Sequence, residues 1–71
     1  MPKLFSSDFI LKILKKNGFV TISQKGSHLK LKNNSSPQKT VIVPSGKKEI
    51  PLGTFHSILR QSGLSKYDFE L

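Results

Sequence analysis

Apolar residues in this chain repeat at helical spacing up to Asn17-Gly18 and at alternate positions directly after it. The fold must therefore join a helix to extended strands within a few residues. Before the switch, Ile10, Ile13 and Leu14 make one apolar face with Phe9 beside Ile13, while Lys12, Lys15 and Lys16 fall on the solvent side. Ser6-Ser7-Asp8 supplies capping hydroxyls and an acid for the first turn, where the helix dipole favours negative charge. Gly18 suits the left-handed residue that ends such a helix.

After the switch, residues 19–24 read as a strand, Lys25-Gly26 as a tight turn and residues 27–32 as the returning strand. A two-residue loop there sets Gln24 opposite Ser27, Ile22 opposite Leu29 and Val20 opposite Leu31. In that register these four aliphatic side chains share one side of the hairpin, and Thr21, Ser23, His28, Lys30 and Lys32 share the other. Residues 33–38 form a polar loop, 40–43 a third strand stopped by Pro44, and 45–48 a basic turn. A second helix over 54–62 carries Phe55, Ile58 and Leu59 on one face and closes at Gly63. Ser65-Lys66-Tyr67-Asp68 predicts a short last turn through Phe69 and Leu71. Phe5, Phe19 and Phe55 are assigned to the core. The order α-β-β-β-α predicts an α+β fold, a three-stranded antiparallel sheet with both helices on one face and the other face open to solvent.

Charge and composition narrow the function. The 71 residues include twelve Lys+Arg against four Asp+Glu, for a net charge of +8. Asp8, Glu49, Asp68 and Glu70 are the acids, so Glu49 stands alone between residues 9 and 67. Such an excess suits a polyanion, because binding phosphates releases counterions whatever the base sequence. Cysteine is absent and histidine occurs twice, which argues against a disulfide framework and a zinc site. Carboxylates are too sparse for a glycosidase pair or for holding catalytic magnesium. Any catalysis is expected to need neither metal nor cofactor. No apolar run reaches the ~18 residues of a membrane span and the N-terminus shows no signal-peptide h-region, so one cytoplasmic domain over residues 1–71, without a membrane partner, is expected.

Within that frame His28 is the candidate for chemistry. It sits on the open face with Lys30 and Lys32 following at period two. A neutral imidazole takes a proton from a ribose 2′-hydroxyl, and an imidazolium protonates a leaving oxygen. Lys25, Lys30 and Lys32 are placed to hold the phosphate. Gly26 lets an RNA backbone approach closely, and Ser27 offers a hydroxyl and an amide; both also make a plain hairpin turn. His56 and Arg60 lie one turn apart on the second helix, with Arg60 a candidate phosphate contact. Lys47 and Lys48 fit a solvated turn or a contact equally. The residues leave three functions open: a metal-independent ribonuclease, a non-catalytic RNA-binding module, and an adaptor that docks an acidic protein.

The chain resembles the HicA-type toxins of bacterial toxin–antitoxin pairs over nearly its whole length. The resemblance is carried by Lys16-Asn17-Gly18-Phe19, by Gln24-Lys25-Gly26-Ser27-His28, by Val41-Ile42-Val43-Pro44 and by Gly53-Thr54-Phe55-His56-Ser57-Ile58-Leu59-Arg60-Gln61-Ser62-Gly63-Leu64. It implies a double-stranded-RNA-binding-domain-like α-β-β-β-α fold and an mRNA interferase, an endoribonuclease that cuts mRNA without needing a ribosome and halts translation. The histidine after Gly-Ser, here His28, would be catalytic. A HicB-type antitoxin would mask the His28 face, so that the toxin is a monomer when free and part of a hetero-oligomer when bound. His56 departs from the pattern, standing where similar sequences often carry a basic or aliphatic residue.

Overall fold

A computed structural model describes residues 4–34 and 37–70. The elements run α1 (Ser7–Lys16), β1 (Val20–Lys25), β2 (His28–Lys32), β3 (Thr40–Pro44) and α2 (Leu52–Ser62), followed by a 3-10 turn at Lys66–Phe69. The three strands form one antiparallel sheet in the order β1-β2-β3. This is the α-β-β-β-α order and the α+β class expected from the hydrophobic pattern.

Helix α1 begins as its sequence dictates. Ser6 accepts a hydrogen bond from the Phe9 N–H at 3.1 Å, Asp8 occupies the first turn, and Lys15 and Lys16 the last. Helix α2 begins two residues earlier than its apolar spacing indicates. The carbonyl of Pro51 already accepts the Phe55 N–H at 2.9 Å, which draws Leu52 and Gly53 into the first turn. Ser65 and Asp68 cap the last turn, with the Ser65 N–H donating to Asp68 Oδ2 at 2.8 Å. Leu71, expected in that turn, lies outside the described residues, as do Ser35 and Ser36 of the polar loop.

Both helices cover the same side of the sheet. Ile10, Ile13 and Leu14 of α1 and Phe55 and Ile58 of α2 close over Leu31, Val41 and Val43, all of them buried. Phe5, Phe9, Phe55 and Phe69 extend this core, with Phe55 meeting Phe5 and Phe69 edge-on at centroid distances of 5.3 and 5.2 Å. Burial of this apolar surface is what holds the layers together. The free edge of β3 is covered by Gln61 of α2, whose Oε1 accepts the Ile42 N–H at 3.0 Å.

The first hairpin differs from the expected register. Lys25 pairs with His28, Gln24 with Leu29 and Ser23 with Lys30, so the two turn residues are Gly26 and Ser27 rather than Lys25 and Gly26. A bulge between Thr21 and Ser23 then shifts the pairing, setting Thr21 opposite Leu31 and Val20 opposite Lys32. Inserting one residue reverses which side the following residues face. Val20 and Ile22 are therefore not in the aliphatic layer with Leu29 and Leu31; they are 51% and 43% exposed. Thr21, expected on the open side, belongs to the side of Leu31.

One buried side chain joins the layers at the His28 end of the sheet. Ser7, 1% exposed, donates its hydroxyl to the Pro44 carbonyl at 2.6 Å and accepts the Lys47 N–H at 2.9 Å. Its own N–H donates to the Lys47 carbonyl at 2.9 Å. Ser7→Ala leaves one carbonyl and one N–H without this partner, and we predict a loss of about 1–3 kcal/mol in urea unfolding. A change below ~0.5 kcal/mol, the usual size for a neutral surface substitution, would show that the hydroxyl holds nothing.

Candidate nucleic-acid interface

The uncovered face of the sheet is built by alternation. On β2, Leu29 and Leu31 turn toward the helices, so His28, Lys30 and Lys32 turn away from them. Cross-strand pairing sets the neighbours of each. His28 lies between Lys25 and Pro44, Lys30 between Ser23 and Ile42, and Lys32 between Val20 and Thr40. Directly opposed residues have Cβ atoms ~5 Å apart, so Lys25 and His28 are immediate neighbours.

The turn that creates this arrangement depends on Gly26. Its φ is +61°, and among the described residues no residue other than glycine has a positive φ, Ser27 included. Positive φ at the first central position alone belongs to a type II′ turn, whose twist matches that of the flanking strands. Gln24 Nε2 donates to the Gly26 carbonyl at 3.2 Å, and the Ser27 carbonyl accepts both the N–H and the hydroxyl of Ser45, at 2.6 and 3.1 Å. The turn is thereby held between its own strand and the end of β3.

Ser23, Lys25, His28, Leu29, Lys30 and Ile42 line a shallow depression of about 500 Å³. Its rim carries an imidazole and two ammonium groups, and Ile42, 39% exposed, gives it an apolar wall. It can receive an anion beside a flat apolar group, as a nucleotide presents. Among the described residues, no group of His, Asp and Glu is placed to hold a metal ion, and no helix is long and apolar enough to cross a membrane.

Of the six expected contact residues, Lys25, Gly26, Ser27 and Lys30 stand near His28, and Lys32 shares its face four residues along β2, outside the depression. The sixth does neither. Arg60 belongs to α2 in the helix layer, where it is exposed and donates from Nη2 to Ser57 Oγ at 3.3 Å. His56 is exposed on the same helix, its ring centroid 6.4 Å from that of Phe55. Ser23 and Ile42 line the depression without having been singled out by the sequence. The signal that identifies Ser23 is the Gly-Ser turn, since Gly26-Ser27 as the loop sets it opposite Lys30.

A family model described as HicA toxin of bacterial toxin-antitoxin matches residues 8–64. That span contains the whole sheet and both helices except the first residue of α1. Comparison with curated proteins yields no match.

A Cβ added at Gly26 would meet nothing within 4 Å, so any cost of substitution comes from backbone conformation alone. We predict that Gly26→Ala destabilises the chain by about 1–2 kcal/mol, whereas D-alanine at the same position, introduced by chemical synthesis, is tolerated. Equal unfolding midpoints for the L and D variants would contradict the turn described here.

Proposed function

The chain belongs to the family of HicA toxins of bacterial toxin–antitoxin systems, and we propose that it acts as a metal-independent, ribosome-independent endoribonuclease that cleaves mRNA. The observation that supports this reading most directly is the pairing of Lys25 with His28 on an uncovered sheet face that also carries Lys30. Residues 1–71 would work as one domain in the cytoplasm, a monomer until an antitoxin binds. As the toxin of such a pair the chain has an antitoxin partner; that partner would be of the HicB type and would mask the His28 face.

In the proposed reaction the neutral imidazole of His28 takes the proton of a ribose 2′-hydroxyl. The 2′-oxygen forms a bond to the adjacent phosphorus and the bond from phosphorus to the 5′-oxygen breaks. The products are a 2′,3′-cyclic phosphate and a 5′-hydroxyl, the leaving oxygen taking its proton from the imidazolium so formed or from water. Negative charge builds on the non-bridging oxygens meanwhile. Lys25 and Lys30 would offset it, and such electrostatic stabilisation is usually the larger share of what a fixed cationic site contributes. Lys32 would hold the next phosphate along β2, Gly26 would let the backbone come close, and Ser27 and Arg60 would add contacts. One histidine used as acid or base is worth about 10²–10⁴-fold, so the turnover should be slow. A slow enzyme that cuts message still arrests translation, because each cut destroys a template.

Incubating purified protein with RNA in EDTA separates this reading from a non-catalytic RNA-binding module. Cleavage is expected from the wild type. His28→Ala should cut about 10²–10⁴-fold more slowly while unfolding at the wild-type urea concentration. Intact RNA shifted in a gel by the wild type would favour the binding module. Wild-type rates in a well-folded His28→Ala variant would remove His28 from the chemistry.

A further inference from the structure

Lys47 and Lys48 stand in the turn after β3, outside the residues assigned to the site so far. Backbone bonds fasten this turn to the His28 end of the sheet. Ser45 donates its N–H and its hydroxyl to the carbonyl of Ser27, the residue before His28. Gly46 turns the chain with a φ of +72°. Lys47 is then bonded on both sides to Ser7, its N–H donating to Ser7 Oγ and its carbonyl accepting the Ser7 N–H, each at 2.9 Å. Ser7 in turn donates to the carbonyl of Pro44, the residue paired with His28. The main chain of Lys47 is thus held like a strand residue, while both lysine side chains stay exposed.

We propose that Lys47 and Lys48 bind phosphates of the RNA flanking the scissile one, on the β3 side of His28, across from Lys25 on β1. The inference rests on the ribonuclease reading above. A phosphodiester chain, with its regularly spaced charges, suits cations held on a fixed frame, and the Ser27–Ser45 and Ser7–Lys47 bonds fix the main chain of this turn at the His28 end of the sheet. Ser7 is a positioning residue here: it holds the Lys47 backbone and touches no substrate. Arriving with its cations already placed, the turn loses little freedom when the RNA binds.

The test uses His28→Ala as parent, so that RNA stays intact, with a fluorescein-labelled single-stranded RNA titrated across a salt series. Adding Lys47→Ala and Lys48→Ala should lower the slope of log K against log salt by about 1.4, two contacts at ~0.7 each. Adding Lys12→Ala and Lys15→Ala removes the same charge from the solvent side of α1 and should leave the slope unchanged. A slope insensitive to the Lys47/Lys48 pair, yet lowered by Lys30→Ala with Lys32→Ala, overturns the inference and leaves the ribonuclease reading standing. Equal losses from the Lys12/Lys15 and Lys47/Lys48 pairs also overturn it, because bulk charge would then be the cause. A parent that binds no RNA at low salt removes the ribonuclease reading itself.

Discussion

Gly26 takes a backbone conformation that L side chains rarely adopt, and the composition of the open face follows from it. With Gly26-Ser27 as the loop, Lys25 must pair with His28 and Ser23 with Lys30. Imidazole and ammonium then stand side by side without any long-range contact having to arrange them. The carbonyl of Ser27, turned toward β3, accepts two bonds from Ser45, so the same two-residue turn also fixes the start of the basic loop. A short hairpin thereby sets the positions of Lys25, His28 and the start of the basic loop together.

The rest of the molecule keeps that face uncovered. Two helices and one apolar layer account for the buried side of β2 and β3, and β1 remains exposed along its whole length. Three of the twelve cationic residues, Lys25, Lys30 and Lys32, stand on the uncovered face, where strand geometry fixes their order. Gln61 on the Ile42 N–H protects one edge from further strand pairing.

Most of the fold, and the side of the sheet on which His28, Lys30 and Lys32 stand, were legible in the sequence, and the parity error in β1 has one physical origin. Period alone gave the helix faces and the order of elements. The hairpin register rested on matching Val20 and Ile22 to Leu29 and Leu31, which assumed an unbroken strand. The bulge at Ile22 breaks that assumption, and a bulge leaves no signal in an alternation pattern this short. Near the turn the true register differs from the expected one by two residues. A shift of two keeps every side chain on its face, so His28, Lys30 and Lys32 were correctly placed on the open side although their partners were not. Beyond the bulge the parity reverses, and Val20 and Thr21 were assigned to the wrong sides. Arg60 lies on α2, which with α1 covers the face opposite His28, as the order of elements predicts.

The chemical nature of the RNA ends tests the central claim, that His28 drives attack by the RNA's own 2′-hydroxyl. Purified protein in EDTA would be given one RNA with free 2′-hydroxyls and one of the same sequence with every 2′-hydroxyl methylated, and the termini of any fragments mapped. Only the first should be cut, leaving 2′,3′-cyclic phosphate and 5′-hydroxyl ends, while both are bound. Cleavage of the methylated RNA, or 5′-phosphate ends on either, would contradict it.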